Sequence, residues 1–229
     1  MSTREAVIDS MAGTTVTCFK GRRPKATDID TLERELAEIA SEIKTSLYTG
    51  GEEHGHLCCV ISDEAYAEII DEDFQFAPAV QPEAYDPTIT AEMGDVQRKQ
   101  MEAEWEKSKV DYQKYLGVQH VLRNLIISAV DSQHLRKLYN EYTKYTRHTA
   151  RKMIDHLRGK VKLTETEKTK MRDQINMEWD QSEDFPFYIQ QLEMTRRRLA
   201  RWGINIDEPT LISAANRQIS KCTTRGGNS

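Results

Sequence analysis

Cysteine and long apolar runs are scarce in this chain, and each scarcity excludes a class of protein. Four cysteines among 229 residues, without paired spacing, argue against a disulfide scaffold and fit a reducing compartment. No apolar run approaches the length of a membrane span, so we expect no membrane contact. No apolar segment follows residues 1–5, so we expect no secretory signal and a cytoplasmic location.

The sequence motifs of common enzymes are also missing. The chain has no phosphate-cradling glycine loop, no Gly-x-Ser-x-Gly elbow, no His-Glu-x-x-His pair and no dinucleotide fingerprint. His54, His56, Cys58 and Cys59 are zinc ligands by type, but no second pair follows at the usual distance. We therefore predict a protein that is not an enzyme and that has no metal, no cofactor and no small-molecule substrate.

The composition that remains is typical of a globular protein with an uneven charge distribution. About 38% of residues are apolar and 30% are charged, enough for one large or two small domains. Residues 1–110 hold 11 basic and 23 acidic residues, a net charge near −12, whereas residues 111–229 hold 21 and 14, near +7. Such asymmetry permits contacts between copies or a basic surface for nucleic acid, and it is equally compatible with a solvated surface.

Apolar residues at helical spacing predict the first helices. A capping pattern, Thr27-x-x-Asp30, precedes an apolar stripe, and a second one, Thr164-x-x-Glu167, is predicted to begin a later helix. The stripe consists of Ile29, Leu32, Leu36, Ile39, Ile43 and Leu47. Residues 50–61 are predicted to be a glycine turn that enters an extended apolar run, and Ser62 is predicted to cap the helix that follows. Residues 71–87, which hold three prolines, are predicted to be a loop.

A long helix is expected from about Thr90 to about Ser128, with Met93 on its apolar side and a kink or break at Gly117. A further helix should begin at Asp131. Its predicted aromatic face comprises Leu135, Leu138, Tyr139, Tyr142 and Tyr145. A tyrosine stripe could stack nucleic-acid bases, but the helical spacing favours packing into a core.

Residues 183–203 have the clearest helical order in the chain. Pro186 suits a first helical turn, and Gly203 is a natural stop. An apolar face comprises Phe185, Tyr188, Ile189, Leu192, Leu199 and Trp202. We expect the first four of these to be buried against the last helix, which Asp207 and Pro209 should begin.

The spacing Glu183-x-Phe185-x-x-Tyr188-Ile189-x-x-Leu192 resembles the major homology region of retroviral and retrotransposon Gag capsid proteins. Residues 202–208, Trp-Gly-Ile-Asn-Ile-Asp-Glu, resemble the continuation found in copia-type Gag proteins. Residues 50–57, 126–138 and 149–157 are similar to further runs of the same group. The zinc knuckle that many Gag proteins carry after the capsid is absent, and so is the Asp-Thr/Ser-Gly signature of a retroelement protease.

The resemblance implies an all-α, bilobed, retroviral-capsid-like protein. We expect a flexible arm over residues 1–27, a larger lobe over 28–179, a smaller and shortened lobe over 180–222, and a loose tail over 223–229. The implied function is a structural Gag capsid of a copia-type retrotransposon, or a domesticated derivative, that self-assembles around RNA. The alternative is a helical adaptor that does not assemble. In either case Glu183, Phe185, Tyr188, Ile189 and Leu192 would be structural.

Basic residues late in the chain are the predicted RNA contacts. They are Arg196, Arg197, Arg198, Arg201, Arg217, Lys221 and Arg225. Arginines this close repel one another and therefore need carboxylates or phosphates nearby. The competing interpretation is that acidic residues of the same lobe, such as Glu193, neutralise them.

Overall fold

The computed structural model describes residues 2–84, 94–180 and 182–225, with side chains described as far as Lys221. The fold is all-α, as predicted, and no sheet strand occurs in these ranges. The described residues divide into two compact units, one ending at Val161 and the other beginning at Lys162. None of the described helices has both the length and the apolar character needed to cross a bilayer.

Seven α-helices lie in the described part of the first unit. They are α1 (Thr3–Ser10), α2 (Ala26–Ser41), α3 (Gly51–His54), α4 (Asp63–Ile70), α5 (Asp95–Ala129), α6 (Ser132–Leu135) and α7 (Ala150–Lys160). Short 3₁₀ turns at Leu57–Cys59 and Arg136–Leu138 follow α3 and α6.

The core of the first unit forms where α2, α5 and α7 pack against one another. The fully buried side chains that these three helices contribute include Ile29, Leu32 and Leu36 from α2, Leu122 and Ile126 from α5, and Met153, Ile154 and Leu157 from α7. Burial of each such side chain contributes roughly 1.5–3 kcal/mol. The predicted stripe was too long, because α2 ends at Ser41 and leaves Ile43 and Leu47 beyond it.

The predicted flexible arm is wrong for the described N-terminal residues, which form α1 and pack on α5. Ser2 caps α1 by accepting a hydrogen bond from the Glu5 amide, and Val7 and Phe19 are buried. Gly117 makes this close packing possible, since a Cβ there would lie 3.0 Å from Val7. Gly117 therefore serves helix packing and does not divide α5, which is continuous.

The predicted extended run after Gly50 is also wrong, because α3 and a 3₁₀ turn occupy residues 51–59. Gly55 has a positive φ of 58°, and a Cβ there would lie 2.5 Å from the Ser41 carbonyl oxygen. The His56 amide donates to the Ala40 carbonyl at 2.9 Å. The glycine run thus closes the C-terminal end of α2.

Three predicted features lie wholly or partly outside the described residues. The expected start of the long helix at Thr90 and the apolar residue Met93 fall in the range 85–93, and the described helix begins at Asp95. The described part of the proline-containing loop is non-helical, as predicted. In the predicted tail, α10 (Glu208–Arg225) continues to Arg225, and residues 226–229 lie outside the description.

The second unit contains α8 (Glu165–Arg172), a 3₁₀ turn (Asp173–Asn176), α9 (Phe185–Arg201) and α10. Thr164 and Glu167 form the predicted capping box, in which each side chain accepts a hydrogen bond from the other residue's amide. The boundary lies at Val161 and Lys162, earlier than the expected 179/180 division. The reason is that Ile175 packs into the second unit's core.

Candidate functional site

The capsid-like motif builds the core of the second unit. Tyr188 and Leu192, each only 2% exposed, project from the buried face of α9. They join a buried cluster with Ile175, Leu199, Ile204, Leu211, Ala214 and Ala215. Phe185 and Ile189 are half-buried and pack against this cluster, whereas Glu183 is exposed.

Aromatic rings and one buried hydroxyl fix the entry to α9. The Trp179 and Phe185 rings meet edge to face with centroids 5.0 Å apart, and the Trp179 indole donates to the Glu183 carbonyl at 3.0 Å. The Tyr188 hydroxyl donates to the Met177 carbonyl at 3.2 Å, and burial raises the pKa of Tyr188. These contacts pack and hydrogen-bond the turn that leads into α9.

The predicted RNA-binding residues of α9 and α10 have partners inside their own unit. Arg196 pairs with Glu193 at 2.9 Å, and the Arg198 guanidinium donates to the Gln174 side chain. Two basic residues of α10 contact the segment that precedes α9, in which Gln174 also lies. Arg217 donates to Asn176 Oδ1 at 3.1 Å, and Lys221 lies 3.3 Å from Glu178 Oε1.

These contacts show that basic residues of α9 and α10 stabilise their own unit. Cations from two helices converge on residues 174–178 and tie this segment to α9 and α10. Arg197 and Arg201 also interact with other groups. The side chain of Arg225 lies outside the described residues.

A helix begins at Asp131 as predicted, since Asp131 is the N-cap of α6. The predicted aromatic face of that helix is wrong, because α6 ends at Leu135 and the chain forms a 3₁₀ turn and then a tight hairpin. We call residues 139–145 the tyrosine hairpin. Asn140 and Lys144 form an antiparallel bridge with N–O distances of 3.0 and 2.7 Å. The Asn140 side-chain oxygen accepts from the amides of Tyr142 and Thr143, each at 3.0 Å. These bonds replace the helical pattern because an asparagine side chain can mimic a backbone turn.

The hairpin exposes tyrosine side chains that the helical interpretation assigned to a core. Tyr142 at the tip is 89% exposed and Tyr139 is 50% exposed. The Tyr139 and Tyr145 rings flank the bridge and meet edge to face at 5.4 Å. Partial burial raises the pKa of Tyr145. The sequence signal that could have identified the turn is Asn140, a poor residue for a helix interior and a good one for a turn.

Three of the four candidate zinc ligands in the glycine turn are buried structural groups, and the fourth, His54, is half-buried. His56, Cys58 and Cys59 are fully buried, and a hydrogen bond with Cys59 together with burial raises the pKa of the Cys58 thiol. In residues 2–84, 94–180 and 182–225, no group of three or more His, Cys, Asp or Glu side chains could hold a metal ion.

Comparison with known proteins yields no relative. No protein-family model, no curated protein and no solved structure matches the chain.

Proposed function

We propose that the chain is a cytoplasmic, capsid-like structural protein of a copia-type retrotransposon, or a domesticated derivative, that self-assembles into a shell or lattice around RNA. Two independent helical units support this proposal, and so does the placement of the motif. Tyr188 and Leu192 form a core that fixes α9 and α10 in one arrangement. Such a core makes the motif structural and leaves the outer faces of both helices available for contacts between copies.

The observation that carries the proposal is the apolar character of these outer faces. On α9, Phe187 and Met194 are 45% and 59% exposed and stand seven residues apart. On α10, Ile212 and Ile219 are 53% and 40% exposed at the same spacing. Residues seven apart lie on one face of a helix, so each helix presents paired apolar side chains outward.

A second copy of the chain is the occupant that the charge distribution favours. The second half of the sequence is near +7 and the first half near −12, so copies can be attracted to one another by complementary charge. Exposed large apolar side chains on a helix supply the desolvated centre that such a contact needs. We therefore place the self-association surface at Phe187, Met194, Ile212 and Ile219.

Analytical ultracentrifugation and negative-stain microscopy of the purified chain, with and without RNA, test the proposal. The wild-type chain should form large assemblies as concentration rises, and RNA should lower the concentration required. The variant Phe187→Ser/Met194→Ser should stay small at the same concentrations. Circular dichroism should show unchanged helix content, because both side chains are exposed.

The matched control is Val80→Ser/Val96→Ser, which changes two exposed apolar residues of the first unit. This control should assemble like the wild type. A wild-type chain that remains monomeric at every concentration, with or without RNA, would refute the capsid-like function and indicate the non-assembling adaptor. Equal loss of assembly in both variants would refute the placement of the surface.

A further inference from the structure

The tyrosine hairpin presents aromatic rings to solvent on a backbone that is already ordered. Tyr142 stands at the tip with 89% of its surface exposed. The bridge between Asn140 and Lys144 and the Asn140 side chain hold the turn below it. The Thr146 and His148 amides donate to the Thr143 and Tyr145 carbonyls, each at 3.0 Å, which continues this bonding towards α7. A ligand that binds here would meet a preorganised loop.

Four cationic residues lie within or next to the tyrosine hairpin in the sequence and are not neutralised by the described part of the protein. Arg136, Lys137, Lys144 and Arg147 are all exposed. In the part of the chain that the structure describes, none of their side chains forms a hydrogen bond or an ion pair. Glu141 is the single acidic residue between Arg136 and Arg147. Residues 136–147 hold four cations and one carboxylate, so this stretch carries a net charge of +3 next to the exposed tyrosines in the sequence.

We propose that the tyrosine hairpin, with Arg136, Lys137, Lys144 and Arg147, is a binding site for single-stranded nucleic acid. Unpaired bases stack on Tyr142 and Tyr139, and the four cations contact phosphates. Aromatic rings next to cations are the combination that binds single strands with little sequence preference. A duplex satisfies the phosphate contacts alone, because its bases are already stacked on one another.

This inference rests on the proposed function in one respect, which is that a protein that packages RNA must contact it. The site is distinct from the arginines of α9 and α10, whose described partners lie inside the second unit. Binding of a short oligonucleotide does not require assembly, so the two proposals can fail separately.

The test is fluorescence anisotropy with a 12-nucleotide single-stranded RNA and the matching duplex, at several salt concentrations. Tyr142→Ala should weaken single-strand binding about tenfold at every salt concentration, because one stacked base is lost. Lys137→Gln/Lys144→Gln should instead reduce the slope of log K against log salt by about 1.4, since each single-strand phosphate contact contributes about 0.7. Duplex binding should be insensitive to Tyr142→Ala.

Two controls separate this site from general electrostatic binding. Tyr142→Phe should retain wild-type affinity, because phenylalanine preserves the ring. Lys99→Gln/Lys107→Gln removes two exposed cations from α5 and should leave the salt slope unchanged. Glu141→Gln should strengthen binding, because it removes the carboxylate at the hairpin tip.

Three results would overturn the inference. The first is unchanged single-strand affinity in Tyr142→Ala, and the second is an equal loss of duplex binding in that variant. The third is reduced self-association in Tyr142→Ala with unchanged oligonucleotide binding, which would identify the hairpin as a protein interface. Intact oligonucleotide binding by Phe187→Ser/Met194→Ser would support the site even if the wild-type chain forms no assemblies.

Discussion

Two basic surfaces on this molecule differ in what their cations contact. On α9 and α10, Arg196, Arg198 and Arg217 reach Glu193, Gln174 and Asn176. Around the tyrosine hairpin, the cations have no ion-pair or hydrogen-bond partner among the described residues. The denser cluster in sequence is therefore the one that the fold uses internally, and the sparser one is available to a ligand.

The difference shows why charge density along a chain is a weak guide to nucleic-acid contacts. An arginine with five donors can satisfy several acceptors of its own unit, and it then stabilises the fold. A lysine on an exposed turn has few neighbours and remains hydrated.

The largest expected effect comes from truncating one buried leucine in each of the two units. Leu192→Ala should lower the free energy of unfolding of the second unit by about 2–5 kcal/mol, because it leaves a cavity in that core. Leu135→Ala should have a similar effect on the first unit, since Leu135 is fully buried in α6, four residues before the tyrosine hairpin. Chemical denaturation measures both values.

Hydrogen exchange locates the damage from these substitutions. Leu192→Ala should reduce protection in residues 162–225 and leave residues 136–148 protected, and Leu135→Ala should do the reverse. Ala214→Gly, also in the second core, is a milder control that combines a small cavity with a weaker helix propensity. Loss of protection in both regions from either leucine substitution would contradict the independence of the two surfaces.

The second-largest expected effect is on the free energy of unfolding when a single cation is removed from each surface. Arg198→Gln should lower the free energy of unfolding of the second unit by about 1 kcal/mol, the typical loss for one hydrogen bond. Lys137→Gln should change it by less than about 0.5 kcal/mol, as is usual for an exposed side chain without partners. Both substitutions remove one charge, so each controls for the other. Equal destabilisation would show that the two surfaces do not differ in this respect.

Much of the helical framework could be predicted from local signals. Thr164 and Glu167 formed the expected capping box, and Ser62 capped α4 as its position indicated. Pro186 lies in the first turn of α9 as expected. These features depend on residues within three or four positions of one another, which a sequence displays directly.

The parts that sequence reasoning missed depend on distant or competing interactions. Gln174 and Asn176 lie 24 and 41 residues from Arg198 and Arg217, so no local pattern could pair them. Tyr139, Tyr142 and Tyr145 have helical spacing, but hydrogen bonds from Asn140 and Lys144 stabilise a turn instead. The packing of α1 on α5 was not predicted, because Gly117 was interpreted as a kink or break and is instead the point where the two helices approach closely.

A smaller effect is expected on RNA binding when the arginines of α9 are changed. Changing Arg197, Arg198 and Arg201 to Gln should reduce the salt slope for single-strand binding by less than the hairpin variant Lys137→Gln/Lys144→Gln does. The reason is that Arg198 already donates to Gln174. A salt titration of RNA binding with the folded variants measures both slopes. A larger reduction in the α9 variant would reverse the comparison and make that helix the principal RNA contact.

The smallest predicted effect is a pH dependence of the free energy of unfolding that arises from His156. Burial lowers the pKa of His156 below its ordinary value of 6.5, and the nearby charges of Lys160, Lys137 and His148 lower it further. Its ring nitrogen lies 3.1 Å from the His134 carbonyl oxygen, a contact that opposes the shift. The unfolded chain therefore binds this proton more tightly than the folded one does. The contribution to stability is fully present above pH 6.5 and decreases as the pH falls from there towards the folded pKa.

An NMR titration of the His156 ring tests which of the two basic surfaces affects the pKa of His156. Lys137→Gln should raise the pKa of His156, because it removes a nearby positive charge, whereas Arg198→Gln should leave it unchanged. A single-stranded oligonucleotide bound at the tyrosine hairpin should raise it as well, since phosphates near Lys137 would offset that charge. A His156 pKa at or above 6.5 in the free protein would contradict the predicted direction. A pKa unaffected by saturating oligonucleotide would show that the phosphates bind away from Lys137.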